Sequence, residues 1–339
     1  MDKLIVSGPC TLSGDISVSA AKNAALPIMA ATILFPEEIS FSNLPGLSDI
    51  GFFGDILESL GAKTSKTDES FIVDSGVLNK HIADYDLVRK MRASVLVLGP
   101  LLSRFKKAEV SLPGGCAIGS RPVDIHLSAL EKMGATIDIE GGYIKASTSG
   151  LKGANITLSF PSVGATENIM MAAVWAEGIT VIENAAREPE IVDHANFLKD
   201  FGIKIEGAGS SCITIHGQDI SEYKPSNSVN YKIIGDRIEA ATYIAAGLIT
   251  NSEITVREFD PGHIQNVLDI FTQMGARLEV GADFVKTFKT DKKLKGVSFE
   301  TAPYPGFPTD AQAQVMSLAG VVDGNTVVSE KIFENMKNR

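Results

Sequence analysis

The chain has 339 residues, 44% of them hydrophobic, which is enough for two cores at the usual size of roughly 100 to 200 residues per domain. Its 31 basic and 41 acidic residues give a formal net charge of −10, which argues against a nucleic-acid or anionic-membrane surface. Any positive charge that serves an anionic ligand must therefore be concentrated locally, and Lys22, Arg92 and Arg121 are the candidates.

Taken in chain order, Met1 to Val6 reads directly as a strand rather than as a secretory signal. Lys22 and Asn23 open an Ala-rich helix predicted from Asn23 to Phe35, a run too short and too rich in alanine to span a membrane. An ammonium there either sits solvated or, because it opposes the helix dipole, invites a compensating anion. Further Ala-rich helices are predicted at Ala93 to Ser103, Ala165 to Ala176, Ile238 to Leu248 and Ala311 to Val321. Each precedes a short β-branched strand, at Ile39 to Asn43, Val110 to Pro113, Ile179 to Glu183 and Ile254 to Arg257, with a fifth at Asn325 to Ser329. A second helix then ends on glycine, at Gly61, Gly134, Gly202 and Gly275, spaced by 73, 68 and 73 residues. The chain is thus a repeat of about seventy residues, each unit a supersecondary module. Tyr223 to Asn230 is the best linker by composition and follows roughly three units. The fifth unit stops at Arg339 after half its pattern, so a fragment of a longer protein is expected.

The segment from Gly114 to Asp124 places Cys116, Arg121 and Asp124 within nine residues of glycine-rich chain, with Pro122 suited to the first turn of a helix through Val123, Leu127, Leu130 and Met133. A thiol in such surroundings is exposed and tuned in its ionisation, whereas Cys10 and Cys212 read as small buried residues. Three widely spread cysteines do not form a disulfide framework and fit a reducing cytosol, so a cytoplasmic protein is expected. Ser162, Val163 and Gly164 form a helix start that serves either as a plain cap or as a cradle of donors for a diphosphate. Asp310, at the head of another helix, serves either as dipole stabiliser or as base. The five histidines show no metal-ligand spacing, and no Walker, GxSxG or GxGxxG motif is present, so neither a metal nor a nucleotide cofactor is expected.

The motifs Ser19 to Ala24, Met91 to Ser94, Gly114 to Asp124, Ser162 to Thr166, Glu183 to Glu190, Pro305 to Gln314 and Ile332 to Asn335 together resemble the enolpyruvyl transferase family, on the branch acting on UDP-N-acetylglucosamine. Cys116 separates the chain from the sister branch acting on shikimate 3-phosphate. The resemblance implies an α/β fold, a two-domain inside-out α/β barrel of βαβαββ-type units. One domain would comprise residues 1–21 with 230–339, incomplete at its C-terminal end, and the other residues 22–229 with the cysteine loop. It implies transfer of enolpyruvate from phosphoenolpyruvate to the sugar 3'-hydroxyl with release of phosphate, the first committed step of peptidoglycan synthesis, without a cofactor.

The same resemblance makes Cys116 the proton donor to the phosphoenolpyruvate methylene and a site of covalent attachment, and Asp310 the group that accepts or steers the hydroxyl proton. Lys22, Asn23 and Arg121 would neutralise phosphate and carboxylate charge. Arg92, the stretch Arg121, Pro122, Val123, Asp124 and Ile125, then Ser162, Val163, Gly164 and Ile332 would bind the sugar nucleotide. Departures from the pattern are Ala21 for glycine, Phe160 where some relatives carry a base, and Met336-Lys337-Asn338. Relatives also run on for roughly eighty residues, the size of one module. The alternative reading is a UDP-sugar-binding fragment with impaired catalysis.

Overall fold

The computed structural model describes residues 3, 5, 7–67, 70–83, 87, 91–112, 123–225 and 229–332, with the side chain of Arg92 also outside the description. The chain divides into two compact units, one of Ala20–Ile234 and the other of Met1–Ser19 with Gly235–Arg339. The first strand, β1 (Ser13–Ser17), pairs in parallel with a strand of the second half of the chain, β13 (Glu253–Arg257). The strand expected at Met1 to Val6 lies mostly outside the described residues, which there include only Lys3 and Ile5; β1 escapes sequence reading because its only apolar residue is Ile16.

The larger unit is built from three modules. The first contains α1 (Lys22–Ala31), continued by a tight 3-10 turn (Thr32–Leu34), then β2 (Glu38–Phe41), α2 (Ser48–Ser59), β3 (Lys63–Lys66) and β4 (Phe71–Asp74). The second contains a 3-10 segment (Arg92–Val97) leading into α3 (Leu98–Phe105), β5 (Lys107–Ser111), α4 (Asp124–Lys132), β6 (Thr136–Glu140) and β7 (Tyr143–Ser147). The third contains β8 (Asn155–Thr157), α5 (Val163–Ala173), β9 (Ile179–Glu183), α6 (Pro189–Asp200), β10 (Lys204–Glu206) and β11 (Cys212–His216). A final strand, β12 (Val229–Tyr231), lies parallel to β2.

The sheets repeat one plan, with orders β12-β2-β4-β3, β5-β7-β6 and β10-β11-β9-β8. In each, the strand after the first helix pairs antiparallel with the last strand of its module, which closes a hairpin with the strand before it. A parallel neighbour flanks that central strand, reduced to a bridge from Ile82 to Glu109 in the second module. Strands such as β9 bury alternate residues, so one sheet face meets the core and the other meets water.

The helices form the core. Ala24 to Ala31 of α1 and Ala165 to Ala173 of α5 are buried on every side, as expected of helices without a polar face. Alanine lets backbones approach closely, and two helices come into close contact at Gly99 in α3. A Cβ there would lie 2.3 Å from both the backbone oxygen and Oδ1 of Asn168 in α5. Phe35 stacks on Phe201 at 3.9 Å between ring centroids, with Trp175, Phe197 and Tyr223 around it.

The smaller unit repeats the plan with α7 (Arg237–Ile249), β13, α8 (Gln265–Gln273), β14 (Leu278–Val280) and β15 (Phe284–Thr287) in the sheet β1-β13-β15-β14. A last set follows: β16 (Phe299–Glu300), α9 (Gln312–Ala319) and β17 (Val328–Ser329), which pairs with β16. Its core of Val256, Phe271, Val285, Ala311 and Leu318 shares no residue with that of the larger unit. The four stop glycines read from sequence, Gly61, Gly134, Gly202 and Gly275, all have φ between +82° and +104°, the conformation that a helix-ending glycine supplies without strain.

Two expectations need correction. The chain leaves the larger unit at Ile234 rather than within Tyr223 to Asn230, because Tyr223 docks on Phe35 and Trp175 and Val229–Tyr231 extends the first sheet. Cys10 and Cys212 are both exposed, the second because it starts β11 on its outward face.

Candidate active site

Lys22 is the first residue of α1, where the leading amides have no acceptor within the helix. Its ammonium lies 3.1 Å from Oδ2 of Asp49, in the first turn of α2, and both side chains are about 40% exposed, at 41% and 37%. The ammonium is thus both aligned and reachable from solvent. Asn23 follows it and is exposed.

Ser162 caps α5, its Oγ accepting the Ala165 amide at 3.3 Å, while the Thr166 hydroxyl donates to the Ser162 carbonyl at 2.8 Å and accepts the Ala186 amide at 3.1 Å. The plain capping role is therefore present. Capping by Ser162 engages the Ala165 amide and leaves the start of the helix at Val163 and Gly164 half-exposed.

Beside this turn runs a buried hydrogen-bond network. Asn168 Oδ1 accepts the Gly99 amide at 2.6 Å, and its Nδ2 donates to the Val95 carbonyl at 2.9 Å and to His126 Nδ1 at 3.1 Å. That acceptor role places the proton of a neutral His126 on Nε2. The His126 ring lies against Gly164, 3.4 Å from where a Cβ would stand. The network ties the 3-10 segment that begins at Arg92 to α4 and to the Ser162 turn. Val123 and Ile125, at the head of α4, are partly buried against the core, whereas Asp124 between them is exposed. Cys116, Arg121 and Pro122 lie outside the described residues, as does the side chain of Arg92.

α5 and α6 also carry buried ionisable groups. Burial, reinforced by Glu190 and Glu188, holds the Glu167 carboxyl well above its ordinary range. Burial lowers His194 to about 3, and among the described residues neither ring nitrogen has a hydrogen-bond partner. Burial raises Asp193 to about 6, against the opposing hydrogen bonds from the Tyr231 hydroxyl at 2.7 Å and the Ile234 amide.

In the smaller unit Asp310 is exposed, in a 3-10 turn (Thr309–Ala311) whose flanking residues Thr309 and Ala311 are buried. The turn leads into α9, which ends at Ala319, short of the predicted Val321. Ile332 is half-buried, and its amide donates to Glu330 Oε1 at 2.7 Å. The structure therefore sorts the candidates into two sets: Lys22, Asn23, Val123, Asp124, Ile125, Ser162, Val163 and Gly164 on the larger unit, Asp310 and Ile332 on the smaller. Asp49, His126, Asn168 and Glu330 were missed because each is a common residue type whose partner lies far along the chain.

The family model of EPSP synthase (3-phosphoshikimate 1-carboxyvinyltransferase) matches residues 6–338. The chain is 51% identical over 336 residues to a UDP-N-acetylglucosamine 1-carboxyvinyltransferase of Aeromonas hydrophila, covering 99% of this chain and 79% of that protein. Among solved structures, the enolpyruvyl transferase NikO from Streptomyces tendae superposes with a TM-score of 0.84 at 25% identity, over 95% of this chain and 76% of that one. EPSP synthase from Acinetobacter baumannii shares the fold at a TM-score of 0.71 and 19% identity, over 96% and 75% of the two chains. With a family match over residues 6–338, 51% identity to a curated carboxyvinyltransferase and a fold shared with a solved enolpyruvyl transferase, the chain belongs to the EPSP synthase (3-phosphoshikimate 1-carboxyvinyltransferase) family of enolpyruvyl transferases.

Proposed function

We propose that this protein transfers the enolpyruvyl group of phosphoenolpyruvate to the 3'-hydroxyl of UDP-N-acetylglucosamine and releases phosphate, the first committed step of peptidoglycan synthesis. The observation that carries this reading is the likeness, over 99% of this chain, to carboxyvinyltransferases named for that sugar nucleotide. The thiol at Cys116 agrees with that branch.

Addition forms a bond from the sugar O3' to C2 of phosphoenolpyruvate while C3 takes a proton, giving a tetrahedral intermediate. Elimination then removes a proton from C3 and breaks the bond from C2 to the phosphate oxygen, whose electron pair leaves with phosphate. Cys116 is assigned to donate the proton at C3, and Asp310 to accept or steer the hydroxyl proton, as general acid and base at opposite ends of the addition. Asp310 suits a role at the surface of its unit, since it is exposed on a turn whose flanking residues are anchored. Lys22, Asn23 and Arg121 are assigned to the phosphate and carboxylate, whose charges would otherwise repel the reacting electron pairs. The Lys22 ammonium is suited to this because Asp49 fixes its direction without covering it. Arg92, Arg121 to Ile125, Ser162 to Gly164 and Ile332 are assigned to the sugar nucleotide, with backbone donors at the head of α5 available to an anion.

The test is product analysis with isotopically labelled phosphoenolpyruvate and UDP-N-acetylglucosamine, followed by mass spectrometry. The expected product is the enolpyruvyl ether of the sugar nucleotide, lost on Cys116→Ala. Hydrolysis to pyruvate without ether formation, or full activity of the Cys116→Ala protein, would contradict the assignment.

A further inference from the structure

One carboxylate oxygen in the smaller unit holds together the two pieces of chain that carry Asp310 and Ile332. Glu330 Oε1 accepts the Thr301 hydroxyl at 2.9 Å, the Ile332 amide at 2.7 Å and the Thr309 hydroxyl at 3.4 Å. These donors come from three segments. Thr301 follows β16, Thr309 begins the turn containing Asp310, and Ile332 follows β17. Thr301 and Thr309 are almost fully buried, with 1% and 6% of their surface exposed, so water competes little for their hydroxyls.

Glu330 is itself fixed by the backbone. It follows β17 directly, Thr301 donates its amide to the Ser329 carbonyl at 3.0 Å, and the Lys331 amide donates back to the Thr301 hydroxyl at 2.9 Å. A fold that needed only to close this sheet would be served by the ladder. The carboxylate adds a link from the sheet to the Asp310 turn, across twenty-one residues of sequence. Bonds from neutral donors to a carboxylate are stronger than those between neutral groups, and the two shorter ones, from Thr301 and the Ile332 amide, hold Glu330 Oε1 where the longer contact from Thr309 ties the turn to the sheet.

We propose that Glu330 is a positioning residue for the reaction, its carboxylate fixing the turn that carries Asp310 and the backbone at Ile332 as one body. This rests on the roles given above to Asp310 and Ile332. Glu330 touches no reacting atom; it acts by setting where Asp310 points. A misplacement of about 1 Å at a reacting group can cost about 10²-fold in rate.

The test compares Glu330→Ala and Glu330→Gln with Val285→Ala, which opens a cavity in the same unit far along the chain from these segments. Val285 is fully buried on β15. Glu330→Ala should lower kcat about 10²-fold with KM for phosphoenolpyruvate little changed, whereas Glu330→Gln, which keeps an acceptor oxygen, should stay within about tenfold of the parent. Val285→Ala should lose thermal stability while keeping kcat at temperatures well below its midpoint. Amide hydrogen exchange, which does not depend on turnover, should quicken about tenfold in peptides spanning 307–312 and 330–332 of Glu330→Ala alone, about 1.4 kcal/mol of local opening. Unchanged kcat in Glu330→Ala, or the same loss in a Val285→Ala protein of equal stability, overturns the proposal. Unchanged exchange overturns it as well, even where the parent protein proves inactive with UDP-N-acetylglucosamine; that inactivity by itself counts against the functional reading instead.

Discussion

His194 and Glu167 make the larger unit respond to pH in opposite directions. The folded state keeps His194 neutral down to about 3 because the ring is buried, while the unfolded chain takes a proton near 6.5. The imidazole therefore favours the fold fully above 6.5, and that stability is lost as pH falls toward 3, by up to about 1.4 kcal/mol for each unit. Asp193 opposes it within part of this window, since its folded value of about 6 makes its contribution largest in acid and lost as pH rises through 6. In His194→Leu the acid-side loss should disappear, so that the urea midpoint of the variant gains on the parent between pH 6.5 and 5. For Glu167, raised by burial, stability is present in acid and lost as pH rises. The isosteric Glu167→Gln should therefore gain on the parent in urea titrations as pH is raised from 5 to 7. At Lys22 the prediction is kinetic. The ion pair with Asp49 is partly exposed and contributes about 0 to 1 kcal/mol, so Asp49→Asn should change kcat/KM for phosphoenolpyruvate by less than about fivefold. Lys22→Ala should lower it by about 10²-fold or more if the ammonium serves the substrate as assigned.

Helix α3 can lie against α5 only because residue 99 has no side chain. The Asn168 amide fills that space, binding the Gly99 backbone and His126 together. Gly99→Ala forces the helices apart or expels Asn168, at a cost of about 1 to 3 kcal/mol or more, which scanning calorimetry should read as a midpoint lower by about 2 to 4 °C for each kcal/mol. The repeat behind these helices was legible because it is written in local chemistry: stop glycines at positive φ, β-branched strands and Ala-rich helices, of which Ala24 to Ala31 of α1 and Ala165 to Ala173 of α5 are withdrawn from water on every side. β1 was not legible, since Ser13–Ser17 is specified by its parallel partner Glu253–Arg257 rather than by its own apolar pattern. The Tyr223 to Asn230 stretch has the composition of a linker, yet the rings of Phe35 and Trp175 capture its tyrosine. For the same reason Asn168 and Glu330 carry no signal in sequence; each is defined by donors brought from elsewhere by the fold. Lys22, Ser162 and Asp310 were visible because helix starts and turns announce themselves locally.

At the scale of the whole molecule, two cores with no residue in common divide the chain, one built around Phe35, Phe197 and Met171 and the other around Phe271 and Val256. Phe271→Ala removes a fully buried ring and should cost the smaller unit about 3 to 5 kcal/mol. Hydrogen exchange should then quicken across α8 and β13 while protection in α1 and α5 stays as in the parent. The β1 strand should loosen with the smaller unit, because it pairs there although it begins the sequence. Both units carry residues assigned to the reaction, and the choice of acceptor distinguishes this enzyme from its sister branch. Phosphate release from phosphoenolpyruvate is to be followed on the protein expressed from its whole gene, with UDP-N-acetylglucosamine or shikimate 3-phosphate supplied as the only acceptor. Release should depend on UDP-N-acetylglucosamine and be absent with shikimate 3-phosphate; release that follows shikimate 3-phosphate, or that is indifferent to the acceptor, would overturn the assignment of the sugar nucleotide.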